Sequence, residues 1–102
     1  MNPPVWRFEW DAHKARSNQA KHDVGFPLAM SVFRDPKAIT LYDEDHSTHD
    51  ERWITLGVAS NGQTLVVVHT WQQTHPSAVS IRIISARKAN RAERDDYLKA
   101  PP

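Results

Sequence analysis

The stretch IRIISARKANRAERDDY, residues 81–97, joins an apolar run directly to a charge-dense segment, with its basic residues gathered at the join. Ile81, Ile83 and Ile84 are β-branched, the composition of a pleated and mostly buried strand. Asn90 has the chemistry of an N-cap. Its side-chain oxygen can take an orphan backbone amide of a first helical turn, and Glu93, three residues on, can return the bond to the Asn90 amide. A helix over about Arg91–Lys99 is predicted to follow. Arg87 and Lys88 fall between strand and cap, with Arg82 upstream and Arg91 and Arg94 downstream. Fixed positive charge around such a rigid corner suits a phosphate group.

Upstream, Asn61-Gly62 lies between two apolar runs, the pair preferred by a two-residue type I′ turn because both central residues need positive φ. With Ser60 and Gln63 flanking the turn, Val58 is expected opposite Leu65, Leu56 opposite Val67, Ile54 opposite His69 and Arg52 opposite Trp71. Alternation then places Arg52 and His69 on the face of Ile54, Leu56 and Leu65. The run Leu65–Val68 predicts a central strand covered on both sides. Gln72–Ala78 is expected to be a loop, which sets no register. Either Arg82 or Ile81 therefore shares the face of His69, and Arg82 is favoured.

Towards the N-terminus, Trp6, Phe8 and Trp10 alternate with Val5, Arg7 and Glu9, the period of a half-buried strand. Asp11 can cap a helix over about Ala12–Lys21, whose apolar stripe is weak. Gly25 supplies a bend, and Pro27 suits the first turn of a second helix with Leu28, Ala29, Val32 and Phe33 on one face. Asp35-Pro36 ends that helix. Ala38–Tyr42 predicts a short strand, and Asp43–Asp50 a polar acidic loop. The order β-α-α-β-β-β-β-α predicts an α+β fold, with a mostly antiparallel sheet, the helix pair on one face and the last helix folding back near the other.

The 102 residues are expected to form one domain, with residues 1–4 and 100–102 loose at its ends. The longest purely apolar run, Leu65–Val68, is too short to cross a bilayer, and residues 1–5 lack the apolar core of an export signal. With no cysteine there is no disulfide framework and no thiolate metal site, so a cytoplasmic location is expected. A net charge of +1 argues against a generic nucleic-acid coat. Its distribution is more informative. Residues 80–99 carry six Lys or Arg against three acids, whereas residues 35–51 carry six acids against one Lys, so one face suits RNA and another a basic partner.

RIISARKA at Arg82–Ala89, followed by Glu93-Arg94 and Tyr97, resembles the C-terminal signature of the BrnT family of bacterial toxins. FEWD at Phe8–Asp11, Lys21-His22 before Gly25-Phe26, the segment His46–Arg52, and LVVVHT at Leu65–Thr70 fall in that family's order and rough spacing. The resemblance spans about Phe8–Tyr97. It implies a RelE-like fold and a metal-independent endoribonuclease without cofactor, the toxin of a type II toxin–antitoxin pair that blocks translation and growth. The implied partner is a cognate antitoxin, a BrnA-like ribbon-helix-helix DNA-binding protein, in a heterotetramer that meets DNA only through the antitoxin. Four extra N-terminal residues and a longer QQTHPSAV segment depart from the commoner family pattern.

Cutting RNA through its own 2′-OH needs a base, an acid, and positive charge where the phosphorane becomes more negative. On the resemblance, Arg87, Glu93 and Arg94 match signature positions, and Arg82 and His69 lie within recognisable motifs. Arg82, Arg87 and Arg94 are the expected phosphate binders, with Glu93 or His69 moving protons. Lys88, Arg91 and Arg52 are the expected RNA contacts. Each has a plainer alternative. In these alternatives Glu93 serves only a capping box, His69 is a hydrogen-bonded core histidine, and the charges of the last helix are solvated surface. Tyr97 is expected to be a packing anchor, and the four tryptophans either stack on bases or serve the core. His46 and His49, with Asp43, Asp45 and Asp50, have ligand types for zinc or manganese, but their spacing matches no metal motif and no metal site is expected. Two competing functions remain: a non-catalytic antitoxin-binding co-repressor, and a metal-dependent hydrolase centred on His46 and His49.

Overall fold

Asp11 accepts hydrogen bonds from the amides of His13 and Lys14, and Asn90 and Glu93 form a complete capping box, so two of the three helices start where local chemistry places them. The computed structural model describes residues 5–46 and 51–101. In chain order these form β1 (Val5–Glu9), α1 (Ala12–His22), α2 (Phe26–Met30) continued by a 3-10 turn at Ser31–Arg34, and β2 (Ile39–Tyr42). A second 3-10 turn (Glu44–His46), β3 (Trp53–Val58), β4 (Thr64–His69), β5 (Gln72–His75), β6 (Ala78–Lys88) and α3 (Arg91–Lys99) follow. The expected loose ends at residues 1–4 and 102, and His49 and Asp50, lie outside the described residues.

The strands form one mixed sheet in the order β1-β6-β4-β3-β2, with β5 also pairing β6. Among the described residues only β1 and β6 run parallel. Val79, Ile81, Ile83 and Ala86 of β6, with Leu65 and Val67 of β4, pack against Val24, Phe26, Ala29 and Val32 of the helical layer. Parallel β1 stops pairing at Arg82, and further along β6 its place is taken by one side chain. Asn18 of α1 donates to the Ala86 carbonyl at 2.8 Å and accepts from the Ala86 amide at 3.0 Å, while also donating to the Val24 carbonyl at 3.0 Å. It closes the open edge of β6 as a strand would.

The β3–β4 hairpin departs from the two-residue turn. The Gly62 amide bonds the Ala59 carbonyl at 2.9 Å, the Ala59 amide bonds the Gln63 carbonyl at 2.8 Å, and Gly62, not Asn61, takes positive φ (88°). This is a three-residue loop, a type I turn closed by a left-handed glycine. The extra loop residue shifts the register by one, pairing Gly57 with Leu65, Thr55 with Val67 and Trp53 with His69. A one-residue slip exchanges faces. His69 therefore shares its face with Thr55 and Gly57, and Arg52 falls by alternation with Ile54 and Leu56 on the opposite side. Gly57 lies directly beneath the helical layer, where an added Cβ would stand 2.8 Å from Val32 Cγ1 and 3.1 Å from Ala38 Cβ. Gly57→Ala is expected to cost about 1–3 kcal/mol by overpacking, read as a lower denaturation midpoint.

Two further expectations are corrected. Gln72–Ala78 is not a loop: β5 pairs Gln72 with Ser80 and Gln73 with Val79, and Ala78 already belongs to β6. Between β4 and β6, Val68 pairs with Ser85 but His69 with Ile83, so β6 holds one extra residue in a bulge. Ile81 and Ile83 consequently share the face of His69, and Arg82 points to the other.

Candidate functional site

Arg87 lies near the end of β6, on the face opposite its buried neighbour Ala86. The Ala89 amide bonds the Thr64 carbonyl at 2.9 Å, which ties the following turn to β4. From the first turn of α3, Glu93 reaches back. Its Oε1 and Oε2 accept from Arg87 Nη1 and Nη2 at 2.7 and 2.8 Å, a bidentate fork, while Oε1 also accepts from the Asn90 amide at 2.9 Å. Arg94 donates to the Ala89 carbonyl at 2.8 Å, which brings a second guanidinium to the same turn. The Arg87 side chain stays 43% exposed and that of Glu93 26% exposed. The hydrogen bonds from Arg87, above all, hold the Glu93 carboxyl below the usual range, and those same bonds raise the Arg87 pKa. At neutral pH this is a fixed ion pair with its cation partly open to solvent. Lys88, the last residue of β6, and Arg91, the first of α3, are exposed.

Arg82 stands apart from this corner. It shares a face with Arg87, but five residues at ~3.3 Å rise place it roughly 15 Å along the strand. Its Nε lies 3.4 Å from Glu9 Oε1 in an exposed pair, of the kind that contributes little to stability. A cleft of about 330 Å³ opens beside it, lined by residues that include Glu9, Glu51, Trp71, Gln72 and Ser80. Arg52 is half-buried just before β3.

His69 is fully buried, at 0% exposure. Its Nδ1 lies 2.8 Å from the Thr70 carbonyl, which can only accept, so Nδ1 carries the proton. Nε2, 2.7 Å from Thr55 Oγ1, must then accept, and the Thr55 hydroxyl in turn accepts from Thr40 at 2.8 Å. Phe33 packs edge-on against the ring at 4.9 Å. Burial pushes the imidazole pKa below its ordinary 6.5, opposed by the Thr70 carbonyl. Below pH 6.5 the unfolded chain therefore takes up a proton that the folded chain refuses, and stability is lost from 6.5 down to the lowered folded value. Denaturation at a series of pH values is expected to show this slope, and His69→Gln to remove that share of it. The lowered Glu93 carboxyl acts in a separate window, below its ordinary 4.5.

One anchor was hidden in the sequence. Asp35, which there marks only the end of a helix, accepts from the Val58 amide (2.8 Å), the Lys37 amide (2.9 Å) and the Tyr97 hydroxyl, and so binds α3 to the sheet. Burial raises the Asp35 pKa, but the hydrogen bonds from Tyr97, Val58 and Lys37 outweigh it and leave the net value lowered. The hydrogen bond to Asp35 pushes the Tyr97 phenol up to about 12. The signal available was Tyr97 itself, an aromatic with a polar tip near a helix end. His46 Nδ1 lies 3.0 Å from Asp43 Oδ2 at the surface. Among the described residues no group of three or more His, Asp or Glu side chains is placed to hold a metal ion.

The family model described as ribonuclease toxin, BrnT, of type II toxin–antitoxin system matches residues 10–93. The chain belongs to the BrnT family. The match spans Arg52, His69, Arg82, Arg87 and Glu93, whereas Arg94 and Tyr97 lie beyond it. A crystal structure of the Brucella abortus ribonuclease toxin BrnT shares the fold, with a TM-score of 0.52 and 22% identity over 85% of this chain and 99% of that one. A comparison with curated proteins finds no match. As a BrnT-family member the chain is the toxin of a type II pair, and an antitoxin is its implied partner. No described helix is long and apolar enough to cross a membrane.

Proposed function

We propose that this chain is a metal-independent endoribonuclease that cuts RNA by 2′-OH attack at the corner between β6 and α3, arresting translation and growth in the cytoplasm until a cognate antitoxin covers it. The bidentate Arg87–Glu93 pair carries this reading, because it presets a guanidinium at a partly open surface. A fixed fork can pass from a carboxylate to two phosphate oxygens without reorganising, and it gains most as the phosphorane acquires charge. Arg94 stands beside it, with Lys88 and Arg91 on the flanks for neighbouring phosphates. Arg52 and Arg82, on the same face, extend the contact along the strand.

When Arg87 turns to phosphate, Glu93 loses the partner that lowers its pKa and becomes the better base. It is then placed to draw the 2′-OH proton. Full burial of His69 makes a structural role the better account of that residue. Glu93→Gln keeps an acceptor for the Asn90 amide but loses the charge, and is expected to slow cleavage by roughly 100-fold or more, the lower end of the usual share of a general base. A purified-enzyme rate beside a thermal melt checks this.

For the partner, the family resemblance supports a BrnA-like ribbon-helix-helix antitoxin in a heterotetramer, and for the architecture a RelE-like plan. A second reading, a non-catalytic co-repressor, is favoured by one observation: Glu93 fills the Arg87 fork, as a purely structural clamp would. Tight induction in a bacterial host with RNA ends mapped within minutes separates the two. New ends with growth arrest support the ribonuclease, whereas soluble, folded protein that binds antitoxin without arrest supports the co-repressor.

A further inference from the structure

The helical layer covers only part of its face of the sheet, and we infer that a basic amphipathic helix of the antitoxin completes it. This rests on the toxin–antitoxin pairing above and gives that pairing a surface. Where the layer stops, at the end of the sheet away from the β3–β4 hairpin, aromatic rings run from strand to strand. Tyr42 of β2 meets Trp53 of β3 at 5.1 Å, and Trp53 pairs with His69 of β4. Phe33 of the 3-10 turn packs on His69, and Trp6 of β1 touches both Phe33 (5.9 Å) and Trp71 (5.4 Å). Tyr42, Trp6 and Trp71 stay 42, 37 and 36% exposed. Trp53 Nε1 is shut off from solvent and has no acceptor among the described residues, a donor the free chain leaves unserved. Contiguous exposed aromatic surface marks a protein interface, where Trp and Tyr carry much of the binding energy.

The shape and charge of this band select its occupant. A sheet face offers side chains and no free backbone groups, so a segment lying on it must satisfy its own amides and carbonyls, as a helix does. From β2 to β1 the band crosses four strand spacings, roughly 19 Å, the length of about 13 helical residues. At the β1 end, Trp6, Phe8, Met30, Phe33 and Arg34 line a groove of about 480 Å³ that suits a bulky apolar side chain. At the β2 end, Tyr42 runs directly towards the turn of Glu44 and Asp45, both exposed and without an ion-pair partner among the described residues. These carboxylates repel an RNA phosphate and attract Lys or Arg, which can also lie over the Tyr42 ring. The helix that fits is apolar along one stripe, with a bulky residue for the groove and basic residues roughly three turns away. The band lies on the face opposite Arg87. It therefore anchors the antitoxin, and another part of that protein closes the corner.

The probe is the protein encoded by the reading frame adjacent to this chain's own, titrated calorimetrically into wild-type and variant chains. Trp6→Ala is expected to weaken binding ~30-fold or more, the scale of a hot-spot residue. Glu44→Lys with Asp45→Lys should weaken it at least ~10-fold at low salt and less at high salt. The two charges lie in an exposed turn, so this variant tests the anchor even where Trp6→Ala lowers the melt. Hydroxyl-radical footprinting of the wild-type complex needs no variant: Tyr42, Trp6 and Trp71 should lose most of their reactivity on binding. Unchanged affinity in the charge variant, or three aromatic side chains as reactive in the complex as in the free chain, would overturn the assignment. Shielding of the three in the chain alone, with a doubled mass, would give the band to a second copy instead. Failure of the wild-type chain to bind the adjacent protein would remove the pairing itself, whereas binding that leaves the band open would remove only the anchor.

Discussion

Arg87→Ala is expected to slow RNA cleavage at least ~100-fold, the usual effect of removing one preorganised donor to a developing anion. Its effect on the melting midpoint should stay within about 5 °C. The asymmetry follows from where the pair sits. With the side chains 43% and 26% exposed, the Arg87–Glu93 pair is screened by solvent, so its loss is expected to cost no more than about 1 kcal/mol. Glu93 keeps its bond to the Asn90 amide, and α3 keeps its anchor at Asp35. Arg87→Lys should recover only part of the rate, since a point charge cannot reproduce the planar fork. A single-turnover assay beside a melt checks both halves; an unchanged rate would assign Arg87 to the structural clamp.

Asn18→Ala should lower stability by about 2–4 kcal/mol, because it leaves the amide and carbonyl of buried Ala86, and the carbonyl of Val24, without partners. For a domain of this size that corresponds to a midpoint roughly 10–20 °C lower. Asn18 is 5% exposed, so water has little access to replace it. Asn18→Asp should be no milder: it keeps the acceptor for the Ala86 amide but turns oxygen on two carbonyls. Because Ala86 precedes Arg87, loss of this clasp should also loosen the corner and reduce cleavage even below the melting range. A midpoint shift under about 3 °C in Asn18→Ala would show that solvent closes the β6 edge as well as the side chain does.

What was legible in the sequence was local. Asp11 and the Asn90/Glu93 box announce their helices because a cap is decided within four residues, and α3 runs over Arg91–Lys99 as expected. The hairpin at Asn61-Gly62 was visible, but the same dipeptide suits a two-residue turn and a three-residue one, and the choice exchanges every face of β3. β5 was hidden because Gln72, Gln73, Thr74 and His75 have no apolar alternation; pairing with β6 makes them a strand. The bulge that turns Arg82 away from His69 is likewise a matter of tertiary pairing. At the site, Arg87 and Glu93 were each legible, whereas the fork between them depends on the turn geometry that folds α3 back. Asn18 and Asp35 look like ordinary surface residues in sequence, since their partners lie 68 and 62 positions away.

The measurement that bears most directly on the ribonuclease is the chemistry of the ends it leaves. Purified chain is incubated with a defined RNA in excess chelator, and the products are sequenced with their termini identified. Cleavage that persists in chelator, leaves 2′,3′-cyclic phosphate ends and stops when the nucleotide before the cut is 2′-deoxy is the expected result. Cleavage that requires a divalent ion and leaves 3′-hydroxyl ends, or equal cutting of the 2′-deoxy substrate, would contradict the mechanism assigned to Arg87 and Glu93.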